Sequence, residues 1–167
     1  MSPSTHLFLV LGLLLLPVLA VAGIGKSVYT QRVEDSRAVY LVAKGDGVSD
    51  DTEAIQAAID KVQATTHQGI VLVPEGRYRI SKTILVWPGI RLIGYGVNRP
   101  TFVLGKQTAG FQEGEGKYMF WFTGGKGRDN EVRDANPGTF YSAFSNCDIE
   151  IEPGNPAAVG VRSHWAQ

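Results

Sequence analysis

Three carboxylates alternate with isoleucine through Asp148-Ile149-Glu150-Ile151-Glu152. As a strand, this segment sends the acids to one face and the two isoleucines to the core, because side chains alternate with a period of two. Successive carboxylates on such a face lie roughly 6 to 7 Å apart. Glycoside hydrolysis needs one carboxylic acid to protonate the leaving oxygen and one carboxylate to activate water, about 6.5 to 9.5 Å apart for inversion. Asp148 and Glu150 are therefore candidate catalytic acids, with His164 as a third candidate. A solvated acidic face explains the same alternation without any chemistry.

A second pattern could hold a substrate. Tyr118, Phe120 and Phe122 alternate with Met119 and Trp121, so one set fills the core while the other stands outward as a stacking platform for sugar rings. Basic residues follow at Lys126, Arg128 and Arg133, and guanidinium and ammonium groups suit the carboxylates of uronic acids. The substrate-binding candidates are Trp121, Lys126, Arg128 and Arg133. Core filling beside an ordinary charged loop is the plainer account.

Other chemistries find little support. Asp46, Asp50 and Asp51 lack the alternating spacing and distal glutamate of a calcium hand, and helix capping explains them. The lone cysteine, Cys147, forms no internal disulfide and reads as a small buried residue. His6, His67 and His164 show no paired spacing, so no metal or cofactor site is expected. Residues 20–27, AVAGIGKS, mimic a phosphate loop, but the run before them is a targeting sequence and no helical face follows. Sixteen basic and sixteen acidic residues cancel, which gives a nucleic-acid partner no support.

The elements that must position these residues are short strands and one helix. Gly45 and Gly47 permit a tight turn, Ser49 or Asp50 can cap a helix start, and Ile55, Ala58, Ile59 and Val62 recur at helical spacing. After this helix, near residues 50–62, short apolar runs at 70–73, 78–80, 83–86, 90–93, 101–104, 119–123, 149–151 and 158–161 are separated by glycine and proline. Ile70-Val71-Leu72-Val73 recurs twenty residues later as Ile90-Arg91-Leu92-Ile93. Repeats of this length mark stacked coils, which bury their inner faces only against one another and need a lid at the open end. A β-sandwich would instead show hairpin turns between strands; Asp46-Gly47 is the one such dipeptide, and it precedes a helix. Twenty glycines suit many turns, while 44% hydrophobic and 19% charged residues exclude a disordered chain.

The stretch GDGVSDDTEAIQAAID at 45–60, followed by IVLVPEGRYRI at 70–80, resembles the N-terminal signature of the pectate lyase superfamily. This is the branch containing rhamnogalacturonases, polygalacturonase-like hydrolases and phage tailspike depolymerases. The resemblance covers residues 39–104 well and 139–167 more loosely. It implies an all-β chain, a right-handed parallel β-helix solenoid with an N-terminal capping α-helix. It also implies a polysaccharide substrate and a glycoside hydrolase of rhamnogalacturonase or polygalacturonase type. A non-catalytic carbohydrate-binding or adhesin β-helix, or a lyase that would require calcium, are the alternatives. Members carry their catalytic groups on coils in the middle of the solenoid, and none of those motifs matches a position here.

The N-terminal residues 7–21 are almost entirely apolar, interrupted by Gly12 and Pro17, and Ala20-Val21-Ala22 offers a small-x-small cleavage site. The run is short for a membrane span. The expectation is a signal peptide at 1–22, a secreted or periplasmic mature chain from Gly23, and no stable membrane association. An uncleaved anchor is the alternative. At the other end, Val159, Val161 and Trp165 precede Gln167 without a cap, so the expectation is a domain over 23–167 that is truncated, inactive alone and prone to self-association through the open end. Terminal sequencing of exported protein should begin at Gly23; an intact Met1 in a membrane fraction would mean an anchor instead.

Overall fold

The computed structural model describes residues 25–126, 128 and 130–164. Residues 1–22, expected as a signal peptide, and Trp165 lie outside the described residues. The chain runs β1 (Ala38–Tyr40), β2 (Asp46–Asp50), α1 (Thr52–Thr66), β3 (Gly69–Pro74), β4 (Arg77–Ile80), β5 (Ile84–Val86), β6 (Ile90–Tyr95) and β7 (Thr101–Leu104). It continues through β8 (Lys117–Lys126), β9 (Val132–Asp134), β10 (Ala143–Ser145), β11 (Asp148–Ile151) and β12 (Ala158–Arg162).

The strands form three parallel sheets, in the orders β1-β3-β6-β10, β2-β4-β7-β11 and β5-β8-β12. From β3 onward the chain visits the first, second and third sheets in turn, then begins again. The excursion is β9, which folds back antiparallel on β8. Parallel neighbours exclude a hairpin-built sandwich. The protein is all-β with parallel sheets and a single helix among the described residues, consistent with a β-helix family.

Like residues stack along each sheet. Val39, Val71, Leu92 and Phe144 lie in register in the first sheet, Tyr78, Phe102 and Ile149 in the second, and Ile84, Phe120 and Val161 in the third. Val71, Ile84, Leu92, Phe102 and Phe120 are fully buried. The strand at 70–73 therefore pairs with an offset of 21 residues rather than the twenty read from the sequence: Ile70 lies beside Arg91, and Val71 beside Leu92. A twenty-residue register would align Val71 with Arg91 and break the stack, since a one-residue slip turns every side chain to the other face.

Helix α1 buries Ile55, Ala58, Ile59 and Val62 on the face that the sequence predicts. It stands in the chain where a third-sheet strand would follow β1 and β2. The Gln56 side chain meets the edge strand β5 as a neighbouring strand would. Its Oε1 accepts from Leu85 N–H at 2.8 Å, and its Nε2 donates to Leu85 C=O at 3.1 Å. An open strand edge is thus partly closed by a side-chain amide.

The start of the helix departs from expectation. Asp51 is the N-cap, yet its side chain makes no capping bond and turns back to accept from the backbone N–H groups of Lys44 (2.8 Å) and Gly45 (3.0 Å). Asp50 instead accepts from Thr52 N–H at 3.0 Å and from the hydroxyls of Thr52 and Ser81. Asp46 receives Val48 and Ser49 N–H at 2.8 and 2.7 Å, which holds its carboxyl below the usual range. All three acids satisfy backbone donors in a turn, so β2 escapes a reading based on apolar alternation.

Ile59→Ala should lower the unfolding free energy by about 2 to 5 kcal/mol in a denaturant titration, because the cavity opens beneath a fully buried side chain. A loss below about 1 kcal/mol would mean that this helical face is not core.

Candidate functional site

On the outer face of the third sheet, parallel pairing sets Leu85, Trp121 and Arg162 side by side on β5, β8 and β12. The turn from β8 into β9 brings a carboxylate over them. Gly124 allows the close approach: a Cβ there would lie 2.6 Å from Asp134 C=O. Gly125 has φ +95°, a backbone angle costly for residues with side chains. Thr123 then pairs with Asp134, which projects its carboxylate beside Trp121.

Asp134 Oδ1 accepts from Trp121 Nε1 at 2.7 Å and from Arg162 Nε at 2.6 Å, while Oδ2 accepts from Arg162 Nη2. Arg162 Nη1 also donates to the Tyr118 hydroxyl at 2.9 Å, and its guanidinium lies 5.0 Å from the centre of that ring. His164 Nδ1 is 3.9 Å from Asp134 Oδ2. The Arg162 hydrogen bonds pull the Asp134 carboxyl down to about 2, with Trp121 adding to them and burial opposing. Asp134 is ionised at neutral pH and can orient or accept a proton but not donate one. The array offers two aromatic rings, an arginine–aspartate pair and an imidazole on one surface, a combination suited to the face and hydroxyls of a sugar ring.

Of the sequence candidates, the fold brings Trp121 and His164 together, through Asp134. Trp121 is half-buried on the outer side as expected; Met119, read as its outward companion, is fully buried beside Phe120. Asp148 and Glu150 share the outer face of the second sheet, apart from this array. Arg99 Nη2 holds Asp148 at 2.9 Å, and Arg77 Nη2 reaches across β7 to Glu150 at 2.9 Å. Glu152 accepts from Lys106 N–H at 2.8 Å. Ile149 faces the core as expected, while Ile151 is 40% exposed. A shallow cleft beside Arg77 and Arg99 contains Asp46 and Glu75, but Glu75 is taken up by Asn98.

Arg128 lies at an exposed turn and Arg133 is exposed on β9. Lys126 turns away, its Nζ 5.6 Å from the centre of the Trp87 ring. Sequence reasoning missed Asp134 and Arg162, since neither lies in a motif and only strand pairing joins them. Burial raises the Cys147 thiol to about 12, and Sγ lies 3.2 Å from Ser145 C=O, the environment of a structural cysteine. Lys26 and Ser27, from the phosphate-loop mimic, bond to Asn98 and Asn146 instead. Among the described residues, no group of three His, Cys, Asp or Glu side chains could hold a metal ion, and no helix is long and apolar enough to cross a membrane.

Residues 40–167 match the family model described as rhamnogalacturonase A/epimerase, pectate lyase-like. A glucan 1,3-beta-glucosidase of Cochliobolus carbonum is 44% identical over 52 residues, 31% of this chain and 6% of that protein. The mannuronan C5-epimerase AlgE3 of Azotobacter vinelandii is 41% identical over 69 residues, 37% of this chain and 4% of the epimerase. The chain thus spans a small part of the length of these relatives. Among solved structures, ORF18 of Geobacillus virus E2 superimposes with a TM-score of 0.50 at 28% identity, over 74% of this chain and 22% of that one.

Asp134→Asn should lower the stability of the protein at pH 7, because Arg162 loses a charged acceptor. The folded carboxyl, at about 2, lies below its ordinary value of 3.8, so its contribution is present above pH 4 and fades as pH falls towards 2. Thermal unfolding of both proteins across that range should show the difference shrinking; a gap independent of pH would exclude the ion pair as its source.

Proposed function

Because the chain belongs to the rhamnogalacturonase A/epimerase family of pectate lyase-like proteins, we propose that it acts on polysaccharide as a secreted right-handed parallel β-helix. The specific reading is a glycoside hydrolase for pectin-like or related chains. Right-handedness follows from the nearly universal hand of parallel crossovers. Helix α1 is the N-terminal cap in this reading: it replaces a third-sheet strand, and Gln56 meets the edge of β5.

The observation that carries the substrate class is the outward Trp121 beside Tyr118, Arg162 and Asp134. Two rings beside a fixed, charge-balanced Arg162–Asp134 pair provide a face and polar edges for a pyranose. Of the sequence candidates for proton transfer, His164 lies at this array, whereas Asp148 and Glu150 would serve a substrate that reaches the outer face of the second sheet. A second reading, binding without cleavage, is favoured by one feature of the geometry. Asp134, Asp148 and Glu150 each sit against an arginine, whereas a glycosidase needs one carboxyl in surroundings that keep it protonated.

Incubation with polygalacturonate, rhamnogalacturonan and β-1,3-glucan separates the two, with new reducing or unsaturated ends as the readout. The hydrolase reading expects reducing ends that Glu150→Gln abolishes with the fold intact. Retention of polysaccharide by the chain without any new ends supports the binding reading, and unsaturated ends would indicate a lyase.

A further inference from the structure

A groove runs between α1 and the segments that face it, separate from the array on the third sheet. One end, about 370 Å³, is lined by Asp60, Gln63, Ala64, Trp87, Pro88 and Lys126 among others. The other, about 260 Å³, is lined by His67, Gly89, Phe140 and Tyr141 and shares Gln63 and Pro88 with the first. Asp60, Gln63, Ala64 and His67 fall at helical spacing along one stripe, so the groove follows the helix for about 10 Å.

A cation lies against a ring in the lining of one end, and another flanks the ring of Tyr141 beside the other end. Lys126 Nζ is 5.6 Å from the centre of Trp87. Arg91 Cζ is 5.6 Å from the centre of Tyr141, and Arg91 Nε donates to Tyr141 C=O at 3.0 Å. Phe140 and Tyr141 are 48% and 61% exposed, with ring centres 6.2 Å apart. Tyr141 has φ +64°, an uncommon backbone angle for a bulky residue, so its ring is displayed at a conformational cost. Between the ends, Gln63 lines both parts of the groove, with its Oε1 buried and without a hydrogen-bond partner. Asp60 is the carboxylate in the lining, and its Oδ1 is taken by Trp87 Nε1 at 2.6 Å and Gln56 Nε2 at 2.9 Å.

We propose that this groove is a binding subsite for a short uronate-containing oligosaccharide, its rings against Phe140 and Tyr141 and its carboxylates at Lys126 and Arg91. Two exposed rings supply faces for pyranoses, and Lys126 in the lining together with Arg91 flanking Tyr141 outnumber the lining carboxylate, Asp60, which favours an anionic chain over a neutral one. The proposal rests on the polysaccharide-active reading but places contacts on residues that the Trp121 array does not use.

Isothermal titration of the whole chain with oligogalacturonate and with uncharged β-1,3-gluco-oligosaccharide tests it. Saturable binding of the charged sugar is expected, weakening with added salt. Tyr141→Asn, which tolerates the same backbone angle, and Lys126→Ala should each weaken it about tenfold, while Tyr141→Phe should retain it. Equal affinity for the uncharged sugar, or full affinity in both weakening variants, overturns the proposal. Binding lost only in Trp121→Ala would also overturn it and leave the polysaccharide reading standing; absence of binding to either sugar, and of turnover on the polymers, would remove both.

Discussion

Phe102 meets an aromatic ring from every sheet. Its centre lies 5.7 Å from Tyr78 in its own sheet, 4.8 Å from Phe120 in the third and 5.7 Å from Phe144 in the first. The three faces enclose a narrow core, and no face can bury its inner residues except against the other two. Register is therefore a shared constraint. A slip in one sheet would pull its ring from the cluster and turn its apolar residues outward. Each residue between the stacked ones is correspondingly fixed on the outside.

The outer surface inherits its order from that constraint. Trp121 lies beside Arg162 because Phe120 lies beside Val161, and Asp148 lies level with Thr101 because Ile149 lies level with Phe102. The two surfaces that could hold a sugar arise where the chain leaves the repeating path. The β8–β9 excursion delivers Asp134 to Arg162, and the following loop delivers Phe140 and Tyr141 to the flank of α1. A regular succession of strands would have supplied neither.

Parallel sheets leave strand edges that must be closed, and the acid-rich segment before α1 contributes to closure rather than to chemistry. Asp51 gathers two backbone N–H groups in the turn before the helix, Asp50 ties the helix start to Ser81, and Gln56 meets Leu85. Against the opposing effect of burial, the Ser81 and Thr52 donors hold the Asp50 carboxyl below its ordinary range, which makes it a good brace and a poor proton donor. The same argument applies to Asp134, whose donors belong to Arg162 and Trp121.

The sequence by itself determined the elements and their inner faces. Periods of two and 3.6 in apolar residues are local, so the helix face of Ile55, Ile59 and Val62 and most of the strands could be read from spacing. It could not determine which strands pair. The repeat of 70–73 misled by one position, since apolar residues on both faces of that strand made two registers look alike and only burial against the other sheets distinguishes them. Short, half-exposed strands such as β2, β9 and β10 carry too little apolar alternation to be seen. The meeting of Asp134 with Arg162, 28 residues apart, was decided by tertiary structure alone, because strand pairing joins residues whose separation in sequence has no period. Lys126 and Trp121 look like one patch in the sequence, yet the turn through Gly124 and Gly125 sends Lys126 to Trp87 and leaves Trp121 with Asp134.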